Sequence, residues 1–333
     1  MTRPTLMRIL GLRFFLPYVA NWGTPRIRRA IIQRFPLADV QTVCRMVDVM
    51  YATSIGIVES KKAALSKGDA AVVEQVGRGK DVMMKANLAV SAKDRLPDDE
   101  LIGQVSILTL AAMDTTSSAL SRILHILAQH PDAQTRLRDE VTAARQSGGD
   151  LDYNGLDRLP FLDAVIRESL RLYPPVPVVS RVARQDMILP LSKPMLGVDG
   201  KPLTEIFVPK GTITFVSIIR ANRDPGIWGP DSYEWKPERW LKPLPDTVID
   251  AHYPAVYANL MTFIGGGRAC IGFKFSELEM KVVLSLLLES FSFAETNTEI
   301  VWNAGGVMAP VVANDKGEMK SGLPLVVTAV NAA

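Results

Sequence analysis

The stretch between Pro97 and Pro131 limits what this chain can fold into more than any other. Asp98 and Asp99 follow the first proline and are good helix-start signals. From there Leu, Ile, Val, Ala and Met recur without another proline until Pro131 stops the run. The pattern predicts a helix from Glu100 to His130, on the order of 45 Å long at 1.5 Å per residue. It is apolar on most faces around Leu101 to Leu127, which predicts burial along much of its length. A helix of that kind needs a large core around it. With 47% hydrophobic and 22% charged residues in 333, the chain has the material, and a disordered chain is excluded.

Proline and glycine punctuate the other predicted helices. They run over Asp39 to Lys67, Asp132 to Gln146 and Phe161 to Tyr173, the last between Pro160 and Pro174-Pro175. A final one spans Phe273 to Ser290. Glu74 to Pro97 reads as a short helix and a loop. After Val176 the texture changes to short apolar runs separated by Pro, Gly and Asp. Val176–Val179, Met187–Leu191, Ile206–Val208 and Ile213–Ile219 read as strands, as do Glu299–Trp302 and Leu323–Val330. Arg220 to Tyr257, rich in Pro, Trp and charge, reads as an irregular ordered loop. The expected class is mainly α with a small β part.

Several functions are excluded early. A charge balance of +3 is too even to argue for nucleic acid. Cys44 and Cys270 rule out a disulfide scaffold and a multi-cysteine zinc site, and His125, His130 and His252 make no metal-ligand pattern. No uncharged apolar run is long enough to span a bilayer. Ile9 to Trp22, broken by Arg13 and Pro17, reads as a partly buried or membrane-touching helix.

The most informative segment is Phe263-Ile-Gly-Gly-Gly-Arg-Ala-Cys-Ile-Gly272. Glycines open backbone conformations that other residues resist. Cys270 follows them and stands just before a helix start, where the positive end of the dipole and Arg268 favour a thiolate. A thiolate in such a turn is open to close approach by a large flat ligand. The plain alternative is a small buried cysteine. A phosphate loop fails, because Phe273 follows Gly272 where Lys is needed. A dinucleotide fingerprint fails for want of a preceding strand in a βαβ unit.

This segment resembles the haem-binding signature of the cytochrome P-450 family, Phe-x-x-Gly-x-Arg-x-Cys-x-Gly. Phe263, Gly266, Arg268, Cys270 and Gly272 fill its fixed positions. The resemblance implies haem b with Cys270 as the axial thiolate, Arg268 on a propionate, and Phe263 near the ring. Other motifs agree in order. Glu168-Ser-Leu-Arg171 precedes Pro237-Glu-Arg239-Trp240, which resembles the family's Pro-x-Arg-Phe with Trp in place of Phe. Together they imply a buried structural network of Glu168, Arg171 and Arg239. Ala111-Ala-Met-Asp-Thr-Thr116 resembles the oxygen-binding groove, with Ala112 where Gly is usual. It implies that Asp114 and Thr115 relay protons towards dioxygen. A Thr hydroxyl bonded to the previous turn would open the helix there. Arg181 matches a second propionate-binding position. Ala111, Val176, Val178, Val179, Val307 and Met308 match regions lining a substrate pocket.

The resemblance implies a monooxygenase that inserts one oxygen atom of O2 into a small apolar substrate, with electrons from an NADPH-dependent reductase. Lys236, Lys242, Lys274 and Lys281 are candidates for the reductase-docking face. It is firm from about Glu100 onward, giving a haem-binding core over 98–333 and helices over 1–97 that loosely resemble the pocket cap. The family's membrane anchor, early helices and most of its first sheet have no counterpart here. The expectation is therefore an N-terminally truncated P-450 fold, with an endoplasmic-reticulum location expected of the family but unknown for this chain. Contact with a membrane surface is retained as an expectation. The alternative is a non-catalytic remnant with weak or no haem binding.

Overall fold

The computed structural model describes residues 22–34, 36, 38–66, 91, 93, 95–314 and 317–330. The expectations for Ile9 to Trp22, except Trp22 itself, and for most of Glu74 to Pro97 lie outside these residues. The chain divides into two compact units, 1–110 and 111–333, and the division falls inside the long helix.

In the first unit, helix α1 (Pro25–Gln33) starts on a Thr24 cap with Pro25 at its first position. It packs on α2 (Ala38–Ser66) through an Arg29–Asp48 ion pair and through Gln41 Nε2, which donates to the Ile32 and Gln33 carbonyls at the C-terminal end of α1, each at 3.0 Å. Helix α3 (Asp98–Gln129) begins here. Val58 of α2 and Leu101 and Val105 of α3 form a small buried cluster, and Ser54 and Ser106 share a hydrogen bond of 2.8 Å beside it.

The second unit holds the rest of α3 with α4 (Pro131–Gly148), α5 (Tyr153–Asp157), α6 (Pro160–Leu172) and α10 (Phe273–Ser290). Short helices α7 (Ile218–Ala221), α8 (Pro225–Trp228) and α9 (Asp246–Ile249) lie between them. One apolar core joins α3, α4, α6 and α10 through Ile123, Leu127, Leu137, Val141, Val165, Ile166, Leu284 and Leu288. The start of α6 is capped from α4. The Glu140 carboxylate accepts the Phe161 and Leu162 N–H groups at 2.9 Å each, filling two of the four donors a helix start leaves unpaired.

The strands make four small antiparallel sheets. Strand β1 (Val178–Val182) pairs with β4 (Ile213–Ser217), and β2 (Met187–Leu196) with β3 (Pro202–Val208). Strand β5 (Phe291–Glu295) pairs with β9 (Leu325–Ala329), and β7 (Met308–Ala313) lies between β6 (Val301–Ala304) and β8 (Met319–Ser321). The class is mainly α with a small β part.

Three readings need correction. Helix α3 is not buried along much of its length: Ile107, Leu110 and Met113 are 62%, 51% and 68% exposed, and only the stretch from Thr116 to Ala128 is largely enclosed. A helix apolar all round needs cover on every side, and among the described residues the N-terminal half has it on one side. The helix is also continuous through Thr115 and does not open there. The loop from Arg220 to Tyr257 contains α7, α8, α9 and a 3-10 turn over Pro237–Leu241. Their lengths of four or five residues are too short for a periodicity to register.

Candidate functional site

Cys270 is exposed at the end of a tightly tied loop. Its N–H donates to the Phe263 carbonyl at 2.9 Å, closing a ring of backbone around the glycines. The Ala269 N–H donates to the Gly266 carbonyl at 3.1 Å, and the Ser276 N–H to the Gly272 carbonyl at 2.9 Å, so the loop runs straight into α10. Gly265 is obligatory for a steric reason: a Cβ there would lie 1.4 Å from the Pro254 carbonyl oxygen. Gly266 takes a φ of +69°, and Ile264 before it is held at +48°, a costly value for a β-branched residue. Strain of this kind persists only where its surroundings fix it. Here the Val256 N–H reaches the Ile264 carbonyl at 3.2 Å, and the Ile264 N–H reaches that of Met261 at 2.9 Å.

Behind the loop lies the network of Glu168, Arg171 and Arg239, brought together as the motifs implied. Glu168 and Arg171 are wholly buried. Arg171 Nε and Nη2 donate to the two Glu168 oxygens at 2.8 Å each. Its remaining N–H groups reach the carbonyls of Asn222 (3.0 Å), Ser232 (2.6 Å) and Glu234 (3.1 Å). Glu168 also accepts from the Lys236 N–H at 3.0 Å and from Trp240 Nε1 at 2.9 Å. Arg239 Nε stands 3.5 Å from Glu168 Oε1, an ion-pair rather than a hydrogen-bond distance, and Arg239 Nη1 binds Asp231 at 3.1 Å. Taking two charges out of water costs several kcal/mol per ion, so such a pair persists only when nearly every donor and acceptor is used. The indole of Trp240 supplies a donor that the family's Phe lacks.

Sequence reasoning missed the residues that connect this network to the cysteine loop. Arg171 holds the Asn222 carbonyl, and the Asn222 side chain turns the other way. Its Oδ1 accepts the Met261 N–H at 2.8 Å and its Nδ2 donates to Thr262 Oγ1 at 2.8 Å. Thr262 Oγ1 in turn donates to the Leu170 carbonyl at 2.9 Å. Asn222 is wholly buried, as a residue with this task must be. An asparagine and a threonine 40 residues apart carry no recognisable spacing.

On the side of α3, Thr115 Oγ1 donates to the Ala111 carbonyl at 2.7 Å, and the neighbouring Asp114 is exposed with no carboxylate partner among the described residues. The next residue, Thr116, is buried and shares a hydrogen bond of 3.1 Å with Ser276 of α10. That bond ties the Asp114-Thr115 turn to the helix that Cys270 precedes, and a threonine and a serine 160 residues apart carry no recognisable spacing. Two residues on, Ser118 Oγ donates to the Met308 carbonyl, and the Met308 N–H donates to Pro175 at 2.8 Å. Met308 is thereby placed against both α3 and the segment carrying Val176, Val178 and Val179. Ala111 and Val178 are exposed; Val176, Val179 and Val307 are half-buried.

Arg181 on β1 is exposed, its guanidinium donates to the Ser180 carbonyl at 2.9 Å, and Arg268 is exposed too. Neither has an ion-pair partner among the described residues. Phe263 packs edge-on to Tyr257 at 5.3 Å and near Phe273 at 6.1 Å, which anchors the loop from below. One candidate for a docking face is corrected. Lys281 is 3% exposed, enclosed by Asp157, Asp163 and Glu277 at 3.1–3.2 Å. Burial pulls its ammonium down, but the carboxylates outweigh burial and hold it above its ordinary value. Lys236, Lys242 and Lys274 are exposed, and Lys236 is paired with Asp231.

The arrangement fits a flat, dianionic macrocycle carrying a metal that takes one thiolate. The Cys270 sulfur is accessible, and a Cβ built on Gly266, Gly267 or Gly272 meets nothing within 4 Å. Ile271 and Phe275 are 89% and 63% exposed beside it, an apolar floor with no cover of its own. The Arg268 guanidinium, two residues before the cysteine, is exposed with no ion-pair partner among the described residues.

Comparison with known proteins gives the same reading. The family profile described as cytochrome P-450 matches residues 20–311. The chain is 52% identical over 320 residues to cytochrome P-450 monooxygenase 91 of Postia placenta, covering 95% of this chain and 59% of that protein. It is 46% identical over 323 residues to the ganoderic acid synthetase of Ganoderma lucidum, covering 94% and 58%. The chain thus spans less than two thirds of the length of these relatives. No helix among the described residues is long and apolar enough to cross a membrane. With an accessible cysteine in the signature loop, a buried Glu-Arg network behind it and a profile match over most of its length, this chain belongs to the cytochrome P-450 family.

Proposed function

We propose that this chain carries the haem-thiolate centre of a monooxygenase that hydroxylates a small apolar substrate. The observation that carries the reading is the exposed Cys270 thiol on a loop fixed from behind by Asn222 and the Glu168–Arg171 pair. Haem, when bound, supplies the redox chemistry of dioxygen; the protein positions it. Cys270 is the ligand, Arg268 and Arg181 neutralise the propionates by charge-assisted hydrogen bonds, and Ile271 and Phe275 meet the ring. Asp114 is exposed, and Thr115 holds its hydroxyl on the Ala111 carbonyl, one turn back. These two move a proton towards the distal side. Val176, Val178, Val179, Val307, Met308 and Ala111 form the apolar wall that receives the substrate. Lys236, Lys242 and Lys274 present positive charge to an NADPH-dependent reductase, whose electrons arrive one at a time.

The test is the absorption spectrum of the purified chain loaded with haem, reduced, with and without carbon monoxide. A red-shifted Soret band that disappears in Cys270→Ala supports the assignment. No such band, with haem uptake equal to that of the variant, refutes it.

A further inference from the structure

We infer that Ser118 is a positioning residue that sets the substrate-facing turn at Val307–Met308, and through it the size of ligand the site accepts. The inference rests on the proposed haem-thiolate function and names a specificity determinant of that site.

The turn is a hairpin tip whose base and tip are held by different means. At the base, Trp302 of β6 is fixed against α3. Its Nε1 donates to His125 Nδ1 at 3.1 Å, and the Arg122 guanidinium lies 3.5 Å above its ring. Burial holds His125 below its ordinary pKa and brings that of Arg122 down to about 10, as expected of groups enclosed at a packed joint. At the tip, β6 and β7 make their last pair at Ala304 and Met308, leaving Gly305, Gly306 and Val307 to turn the chain. Gly306 has a φ of +114°, and a Cβ on either glycine would meet nothing within 4 Å. The tip therefore has no packing at its glycines and depends on the hydrogen bonds of Met308.

Those bonds run to the two other segments assigned to the pocket. The Met308 N–H goes to Pro175, at the start of the Val176–Val179 segment, at 2.8 Å. Its carbonyl receives the Ser118 hydroxyl, four residues and so about one turn after Asp114 on α3. Three pieces of the chain distant in sequence converge on one residue. The Pro175 bond is backbone to backbone and survives any side-chain change, so Ser118 is the adjustable tie. At 7% exposure its hydroxyl has no water to bond instead.

The test uses the full chain loaded with haem, with Ser118→Ala and Ser118→Thr, and two probes that ligate haem iron. Imidazole is small enough to reach the iron without touching the turn; 4-phenylimidazole carries a ring that must fit against the pocket wall. Ser118→Ala is expected to weaken 4-phenylimidazole about fivefold, the effect of one neutral hydrogen bond, and to leave imidazole within about twofold. Ser118→Thr, which keeps the hydroxyl, restores the ratio. Amide hydrogen exchange, measured without haem, should rise in Ser118→Ala over residues 304–309 and stay level over 325–329. No rise in exchange at the turn overturns the tie. Equal weakening of both azoles shows general loosening and overturns the specificity role. If the unsubstituted chain takes up haem without a red-shifted carbonyl band, the proposed function fails and the pocket role falls with it, while the exchange experiment still decides whether Ser118 holds the turn.

Discussion

Trp240 offers the sharpest test of how the buried ion pair is held. The family motif has Phe here, so Trp240→Phe looks conservative. The structure gives a different expectation. Trp240 Nε1 is one of four hydrogen-bond donors to the Glu168 carboxylate, and it lies 2.9 Å from Oε2. Hydrogen bonds to charged groups contribute about 1.5–3 kcal/mol net. Shrinking the half-buried indole to a phenyl ring also loses contact with the core, about 1 kcal/mol for roughly 40 Å² of apolar area. Arg239 Nε, 3.5 Å from the same carboxylate, can close in and offset part of the loss. The expected destabilisation is about 2–3 kcal/mol, read as a lower urea midpoint at unchanged slope. Trp235→Phe is the control. It removes an indole bond of 3.0 Å to Ser169 Oγ, a neutral acceptor, and so should cost about 1 kcal/mol less. A loss under about 0.5 kcal/mol for Trp240→Phe, or equal losses for the two, would refute the view that the indole carries part of the buried charge.

Gly265→Ala should destabilise the chain by several kcal/mol and abolish haem uptake, because the new Cβ meets the Pro254 carbonyl at 1.4 Å; Gly267→Ala, with open space, should change thermal stability by less than about 1 kcal/mol. Tyr257→Phe should stabilise the chain by about 1 kcal/mol at pH 7, since the buried Tyr257 hydroxyl makes no well-formed hydrogen bond among the described residues, and urea titration reads the gain directly. Burial, then Glu277 and Asp163, push the Tyr257 phenol above its ordinary value, and Lys281 is raised as well. Below their unfolded pKa values near 10 neither group makes stability depend on pH, and the Lys281 ion pairs are fully present; above them each group lowers stability by about 1.4 kcal/mol per pH unit until its folded value is reached. A stability profile from pH 9 to 11 should fall less steeply in Tyr257→Phe; an unchanged slope contradicts the assignment. Lys281→Gln should cost about 3 kcal/mol by removing the buried cation from Asp163 and Glu277, although Asp163 keeps its pair with Arg167 and Asp157 is exposed, and should not alter reductase affinity measured on the folded fraction.

The long helices were legible because they are long. Phe273–Ser290 and Pro160–Leu172 each present several turns of pattern between strong punctuation. Strand β5 was not, because Phe291 begins it directly at the end of α10 with no turn residue between them. The signature residues could be read because a ligand fixes their type at fixed spacing. Gly265 was passed over in favour of Gly266 and Gly272, although its constraint comes from the chain itself. The obstacle is the carbonyl of Pro254, eleven residues back, and only the folded loop brings the two together. Lys281 was misread for a related reason. Lysine is seldom buried, and nothing local in the sequence shows three acids converging on it.

The same limit explains why Asn222 and Ser118 matter and why they were not found. A thiolate ligand must be exposed on one side to receive a macrocycle, so that side cannot supply its rigidity. The fixing has to come from behind, through groups that bond in two directions. Arg171 uses all five of its donors, but none of them touches the cysteine loop; it holds the Asn222 carbonyl, and the Asn222 amide carries the connection on to Met261 and Thr262. On α3, Thr116 and Ser118, two residues apart, reach α10 and the Met308 turn respectively. Each is a small polar side chain in a buried place, where an unmade hydrogen bond costs about 1–3 kcal/mol and a made one leaves little freedom. Large motif residues say what the site binds. These small ones tie its segments together, and on the inference drawn for Ser118 the cost of losing one is expected first as a change in which ligand fits.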